Sequence, residues 1–264
     1  MDTDNKFAIH AACREGRYAA VESLLNALQL SRRFLIPELL TCSNSKIKVD
    51  PKLANRKDDD GRLPIHWAVS SNQFEITNLL VAQKNFDPDV QDGSGWTPLM
   101  IAVSIKDGEK LVDLLLGKGA DVNEKNNSGQ TALHFAASKN NLDVARKLLD
   151  QKPPASARVR DRRGQYALHR AAAVGSTPMV NLLIGQGKSP LNATDSDGQT
   201  ALHHAIAEGH GDTAVALLKA GAETDKKDAD GNLAIDLAPD REVRKYIEQV
   251  AEREGVDLPS VSSA

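Results

Sequence analysis

A glycine returns about every 34 residues along this 264-residue chain, and no other feature narrows the possible folds as much. Gly61, Gly95, Gly129, Gly164, Gly198 and Gly231 are separated by 34, 34, 35, 34 and 33 positions. A short string follows each: Leu63-Pro64-Ile65-His66, Thr97-Pro98-Leu99-Met100, Thr131-Ala132-Leu133-His134, Tyr166-Ala167-Leu168-His169, Thr200-Ala201-Leu202-His203 and Leu233-Ala234-Ile235-Asp236. Phe7-Ala8-Ile9-His10 is an earlier copy. Paired leucines answer downstream at Leu24-Leu25, Leu79-Leu80, Leu114-Leu115, Leu148-Leu149, Leu182-Leu183 and Leu217-Leu218. Such a period means one small unit copied many times, each unable to bury its apolar face alone, so stability comes from stacking. Glycine lets the connecting turn take a positive φ. Threonine offers an N-cap oxygen, and proline pre-sets φ at the first helical position. Leu or Ile followed by small residues predicts a short, slim first helix. The Leu-Leu pair marks a second helix covering the outer side.

This register resembles the ankyrin repeat, whose signature is T-P-L-H-x-A. The resemblance spans roughly residues 5 to 250 and implies an all-α solenoid of seven stacked helix-turn-helix repeats with β-turn tips. Residues 1–254 then form one domain, and 255–264 a flexible tail. The end copies deviate as caps should: the first lacks Thr-Pro and the last has Asp236 in place of histidine. Beyond Asp240 a closing helix is expected over about 240–252, with Val243, Ile247 and Val250 on one face. One irregularity breaks the register. Leu25 lies 36 positions before Gly61, whereas the matching distance is 15 after Leu80 and 14 after Leu115. The first repeat therefore holds an insertion within about 27–50. Arg32 to Pro37 is read as lengthening the second helix and Cys42 to Lys48 as loop, the whole a tolerated surface insertion.

Composition excludes several classes. Lys and Arg total 33 against 36 Asp and Glu, a formal net charge of −3, with no general pull toward nucleic acid or anionic membrane. Aromatic residues are only 4%, too few for a base-stacking surface. No apolar run is long enough to span a bilayer. The polar start, Met1 to Lys6, has no apolar core behind it, and Cys13 and Cys42 make no framework of bridges. The expectation is a soluble monomer of the cytoplasm and nucleus.

A search for chemistry finds none. Gly185-Gln186-Gly187-Lys188-Ser189 mimics the end of a phosphate loop, but Leu182 stands where the earlier glycine is required and the segment closes a helix instead of opening one. His10, His66, His134, His169 and His203 share one repeat position. Equivalent positions in stacked helices lie about 10 Å apart, too far to share a metal, so these histidines are read as structural, bonding backbone between repeats. His204 and His210 have no cysteine nearby. No G-x-S-x-G occurs, and neither cysteine has the setting of a nucleophile. No cofactor, metal site or catalytic residue is expected.

Function on such a scaffold belongs to the concave side, built from turn tips and first helices. Charge is segregated along the sequence. Lys57 to Glu109 holds nine acids against four bases, Lys139 to Arg170 nine bases against three acids, and Glu223 to Glu254 ten acids against six bases. A partner with the opposite order of charges would be held in one register. Arg158, Arg160, Arg162 and Arg163 crowd one tip around Asp161, and Trp96 and Trp67 are candidate anchors.

Several strings go beyond the general repeat: Asp60 to Ser70, Ser94 to Pro98, Ala136 to Asn140 and Leu168 to Ala173. With seven repeats and a closing helix, they resemble the gankyrin family of proteasome assembly chaperones. The resemblance implies binding of the C-terminal domain of one ATPase subunit of the regulatory-particle base on the concave face. The family's binding arginine and lysine fall on Arg62 and Lys139, with Arg170, Asp58 and Asp92 as neighbours in the same surface; Trp96, Arg160 and Arg163 are partner-binding candidates from their place at the tips alone. The insertion after Leu25 is foreign to that pattern. So is His204-Ala205-Ile206-Ala207-Glu208, which keeps only the Glu of the L-x-C-x-E motif of some members. The alternative is an ankyrin adaptor or an inhibitor of cyclin-dependent kinases.

Overall fold

The computed structural model describes residues 7–33 and 51–258. These hold thirteen α-helices and two 3-10 turns, with no strand among them beyond one isolated bridge between Lys227 and Leu233. The chain divides into two compact units, Met1–Asp121 and Val122–Ala264.

Three helix pairs make up the first unit: α1 (Ala8–Arg14) with α2 (Tyr18–Arg33), α3 (Pro64–Ser70) with α4 (Phe74–Val81), and α5 (Pro98–Ser104) with α6 (Glu109–Gly117). Helices α1, α3 and α5 lie side by side in one layer, and α2, α4 and α6 in a second. The layers meet through Ile65, Ala68, Leu99 and Ala102 on one side and Ile76, Leu80, Leu111 and Leu115 on the other, all buried. Small residues at the Ala68 and Ala102 positions let neighbouring first helices approach closely. Helix α2 is 16 residues long against eight in α4 and nine in α6, so the insertion begins as extra helical turns up to Arg33. The expected continuation through Phe34 to Pro37 and the Cys42 to Lys48 loop lie outside the described residues. A 3-10 turn, Pro51–Asn55, then leads back against α2 and α3.

The second unit pairs α7 (Ala132–Ser138) with α8 (Leu142–Leu149), α9 (Ala167–Ala173) with α10 (Thr177–Gly185), and α11 (Ala201–Ala207) with α12 (Gly211–Lys219). Its last pair joins the 3-10 turn Ala234–Leu237 to α13 (Arg241–Glu254). Here Leu133, Leu168 and Leu202 pack over Leu148, Leu183 and Leu217, and α13 closes the second layer with Ile247, Val250 and Ala251 buried. Val243 is only half-buried.

The seventh first helix departs from expectation. A proline disfavours the α conformation of the residue before it, and Ala238 before Pro239 is extended at φ −60°, ψ 127°. Where the other first helices run seven residues, this one stops after a single tight turn of four. Helix α10 ends at Gly185, so the Gly185 to Ser189 string does close a helix.

Candidate protein-binding surface

Each turn tip at a repeat glycine is organised by one side chain three residues before that glycine, half-buried at Asp58 and buried at the other five. Asp161 shows the pattern. Its Oδ1 accepts the backbone N–H groups of Arg163 and Gln165, both at 2.9 Å, and its own N–H donates to Gln165 O at 2.9 Å. Asp58, Asp92, Asn126, Asp195 and Asp228 each accept the same pair of backbone donors two and four residues on. Successive tips are then joined main chain to main chain. Gly93 N donates to Asp60 O in the first unit; in the second, Arg162 N donates to Ser128 O, Ser196 N to Arg163 O and Ala229 N to Asp197 O, all at 2.9 Å. The repeat glycines permit this closeness. At Gly164, φ is +75° and an added Cβ would stand 2.9 Å from Ser196 N.

The second carboxylate oxygen reaches the residue nine positions on, in the first helix of the same repeat. Trp67 Nε1 donates to Asp58 at 2.7 Å, Arg170 to Asp161 at 2.8 Å and His204 Nε2 to Asp195 at 2.9 Å. Ile101, Phe135 and Leu237 occupy this position in the other repeats and offer no donor. There the preceding or same tip serves instead: Arg62 Nε donates to Asp92 at 3.2 Å, Gln130 accepts from Asn126 at 3.2 Å, and Asn232 donates to Asp228 at 3.3 Å. Burial alone would raise the carboxyls of Asp58, Asp161 and Asp195. The donors around them outweigh it, and all three are held below the usual range.

The repeat histidines tie first helices to neighbouring tips. Nδ1 of His66, His134, His169 and His203 accepts the N–H of the residue three before it, at 3.0 to 3.2 Å. That leaves the proton on Nε2. His66 donates it to Val90 O, His134 to Gln165 O and His169 to Ala193 O, while His10 Nε2 faces Arg56 O at 2.9 Å. Burial pushes all five below the ordinary histidine value, and His169, with His204 beside it, falls to about 4. His210 Nε2 faces Ala173 O. Burial lifts the Cys13 thiol to about 12, which leaves it inert. Among the described residues no group of three or more His, Cys, Asp or Glu could hold a metal, and no helix is long and apolar enough to cross a membrane.

Against this framework the candidate binding residues separate into two kinds. Asp58 and Asp92 are turn staples with both carboxylate oxygens engaged inside the fold. Arg62 spans the two tips: its guanidinium bonds Asp92 and lies 4.9 Å above the Trp67 ring, with about a third of the side chain exposed (32%). Trp96 is half-buried, and its main chain closes the Asp92 turn. Arg170 is only 25% exposed, bound to Asp161, with its buried Nε unpaired. By contrast Lys139 caps the C-terminus of α7 with its side chain in solvent, and Arg160 and Arg163 are exposed. The structure thus brings Asp58, Arg62, Trp67 and Asp92 together in the first unit, and Asp161 and Arg170 in the second. The staple pairs escape a reading of single charges. Their signal was nonetheless present, because D-x-x-G repeats with the same period as the glycines.

Residues 1–92, 34–126, 65–155 and 151–228 match the family model for ankyrin repeats in three copies. A protein of Saccharomyces cerevisiae described as a probable 26S proteasome regulatory subunit p28 is 38% identical over 247 residues, 92% of this chain and 97% of the relative. An ankyrin repeat-containing protein of Schizosaccharomyces pombe is 41% identical over 210 residues, 78% of this chain and 89% of its own. Among solved structures, the ankyrin repeat domain of Bcl-3 superposes with a TM-score of 0.67 at 24% identity, over 91% of this chain and 97% of that one. That last likeness speaks for the fold alone.

Proposed function

The chain belongs to the ankyrin-repeat family, and from that premise we propose that it is a non-catalytic binding protein of the proteasome regulatory particle, an assembly chaperone for the base. The observation that carries this reading is the end-to-end match to the yeast p28 subunit, which leaves only 3% of that relative uncovered. Its ligand is the C-terminal domain of an ATPase subunit, bound by one copy of this chain in cytoplasm and nucleus, without nucleic acid or membrane. Arg62 and Lys139 are the contact residues. Lys139 makes no ion pair among the described residues, and the exposed third of Arg62 leaves donors for a partner carboxylate. Exposed charge pairs are screened beyond about 8 Å at physiological salt, so binding weakens as salt rises.

Affinity purification of the tagged chain followed by mass spectrometry tests the reading. The wild type should recover the ATPase subunits of the base, and the Arg62→Glu/Lys139→Glu double variant should lose them. Equal recovery by the double variant would remove those two residues from the interface. A kinase in the eluate with no proteasome subunit would replace the reading with the adaptor alternative.

A further inference from the structure

We infer that the loop between α8 and α9 is a binding site for a short acidic segment of another protein, gripped by the guanidinium groups of Arg160, Arg162 and Arg163. This goes beyond the reading above, since it requires neither Arg62, Lys139 nor a proteasome partner. All three side chains are exposed and make no ion pair among the described residues. The acid between them, Asp161, cannot neutralise them, and Asp150 at the start of the loop accepts from Gln186 at 2.7 Å. Asp161 is buried beneath the loop, its side chain 2% exposed, with Oδ1 taken by two backbone amides and Oδ2 by Arg170. Three positive charges therefore stand outward within four residues, over a carboxylate spent on the fold.

The backbone that presents them is fixed on both sides. Arg162 N donates to Ser128 O on the preceding tip, and Arg163 O accepts from Ser196 N on the following one. Arg158, the fourth arginine, braces the loop by donating to Lys188 O at 3.3 Å. A held loop loses little backbone entropy on binding, and the planar fork of arginine suits a carboxylate.

The surroundings set the size of the ligand. The tip after this one carries exposed Asp197, and the tip after that exposed Asp230, each at the position equivalent to Arg163. A long polyanion such as duplex nucleic acid would meet those acids as it ran along the tips. Four extended residues span about 13 Å, so a ligand of three or four acidic residues covers the arginines of this one tip without running on along the tips that follow.

Fluorescence anisotropy with a labelled tetraglutamate peptide and the full chain at low salt tests the assignment. The Arg160→Gln/Arg162→Gln/Arg163→Gln triple variant should bind about tenfold more weakly or worse, with its urea unfolding midpoint unchanged. An Arg241→Gln/Arg253→Gln control on α13 should bind as wild type. Lysine at the three loop positions keeps the charge without the fork and should fall between. Wild-type binding by the glutamine triple variant, or an equal loss in the α13 control, would overturn the site. So would displacement of the probe by duplex DNA at a lower charge concentration than by unlabelled peptide.

Discussion

Replacing His169 with glutamine should make the protein less sensitive to acid, by roughly 2 to 3 kcal/mol between about pH 7 and about pH 4.5. The ring is 1% exposed, accepts from Tyr166 N at 3.2 Å and donates to Ala193 O at 3.1 Å. Burial first, and the neighbouring His204 second, lower its pKa from 6.5 to about 4. The unfolded chain takes up this proton as the pH falls through about 6.5, while the folded chain refuses it until about 4. The stability at stake is therefore complete above the upper value and lost between the two. At about 1.36 kcal/mol per pH unit, the fall to about pH 4.5 removes most of that contribution. Urea unfolding followed by far-UV circular dichroism, at both pH values for both proteins, isolates this contribution. With a slope of about 2.5 kcal/mol per molar, the wild-type midpoint should drop by about 1 M more than the variant's. His10, His66, His134 and His203 are present in both proteins and cancel. The variant will also be weaker at neutral pH through its lost hydrogen bonds, about 1 kcal/mol each, but only the pH dependence bears on the argument. An equal acid-induced drop in the two proteins would refute it.

Three further perturbations probe the tips. Gly164→Ala forces a side chain into the left-handed region 2.9 Å from Ser196 N, and should cost about 2 kcal/mol or more in urea unfolding. Arg170→Met strands the buried Asp161 carboxylate and should cost about 2 kcal/mol near neutral pH. Because Asp161 is held below the usual carboxyl range, that cost should shrink as the pH falls below about 4 and the carboxyl protonates, which an acid titration of both proteins would reveal. Trp67→Phe keeps the ring under Arg62 but removes the indole donor to Asp58, and should lower the thermal midpoint by a few degrees, corresponding to about 1 kcal/mol.

Much of the architecture was legible in the repeated strings, because glycine φ, proline φ and leucine spacing are local properties that report directly on turn and helix. The number of helix pairs, the start of an insertion after Leu25 and the closing helix all follow from them. The shortened seventh helix was also written locally, in Pro239, but the repeat pattern drew attention to Asp236 instead. The binding surface was less legible. A stretch of sequence counts Asp58, Asp92 and Asp161 as negative charges on a surface, whereas the fold consumes each one in a turn staple.

The sequence by itself determined the repeat, the helices and the apolar face that each pair buries, since each unit is written in full within about 34 residues. Only tertiary structure decided which charges remain available to a partner. Arg170 and Arg163 are seven residues apart and chemically alike, yet one is folded onto Asp161 and the other stands in solvent. That difference depends on where the neighbouring tip and helix place a counter-charge, a distance through space that residue order does not state.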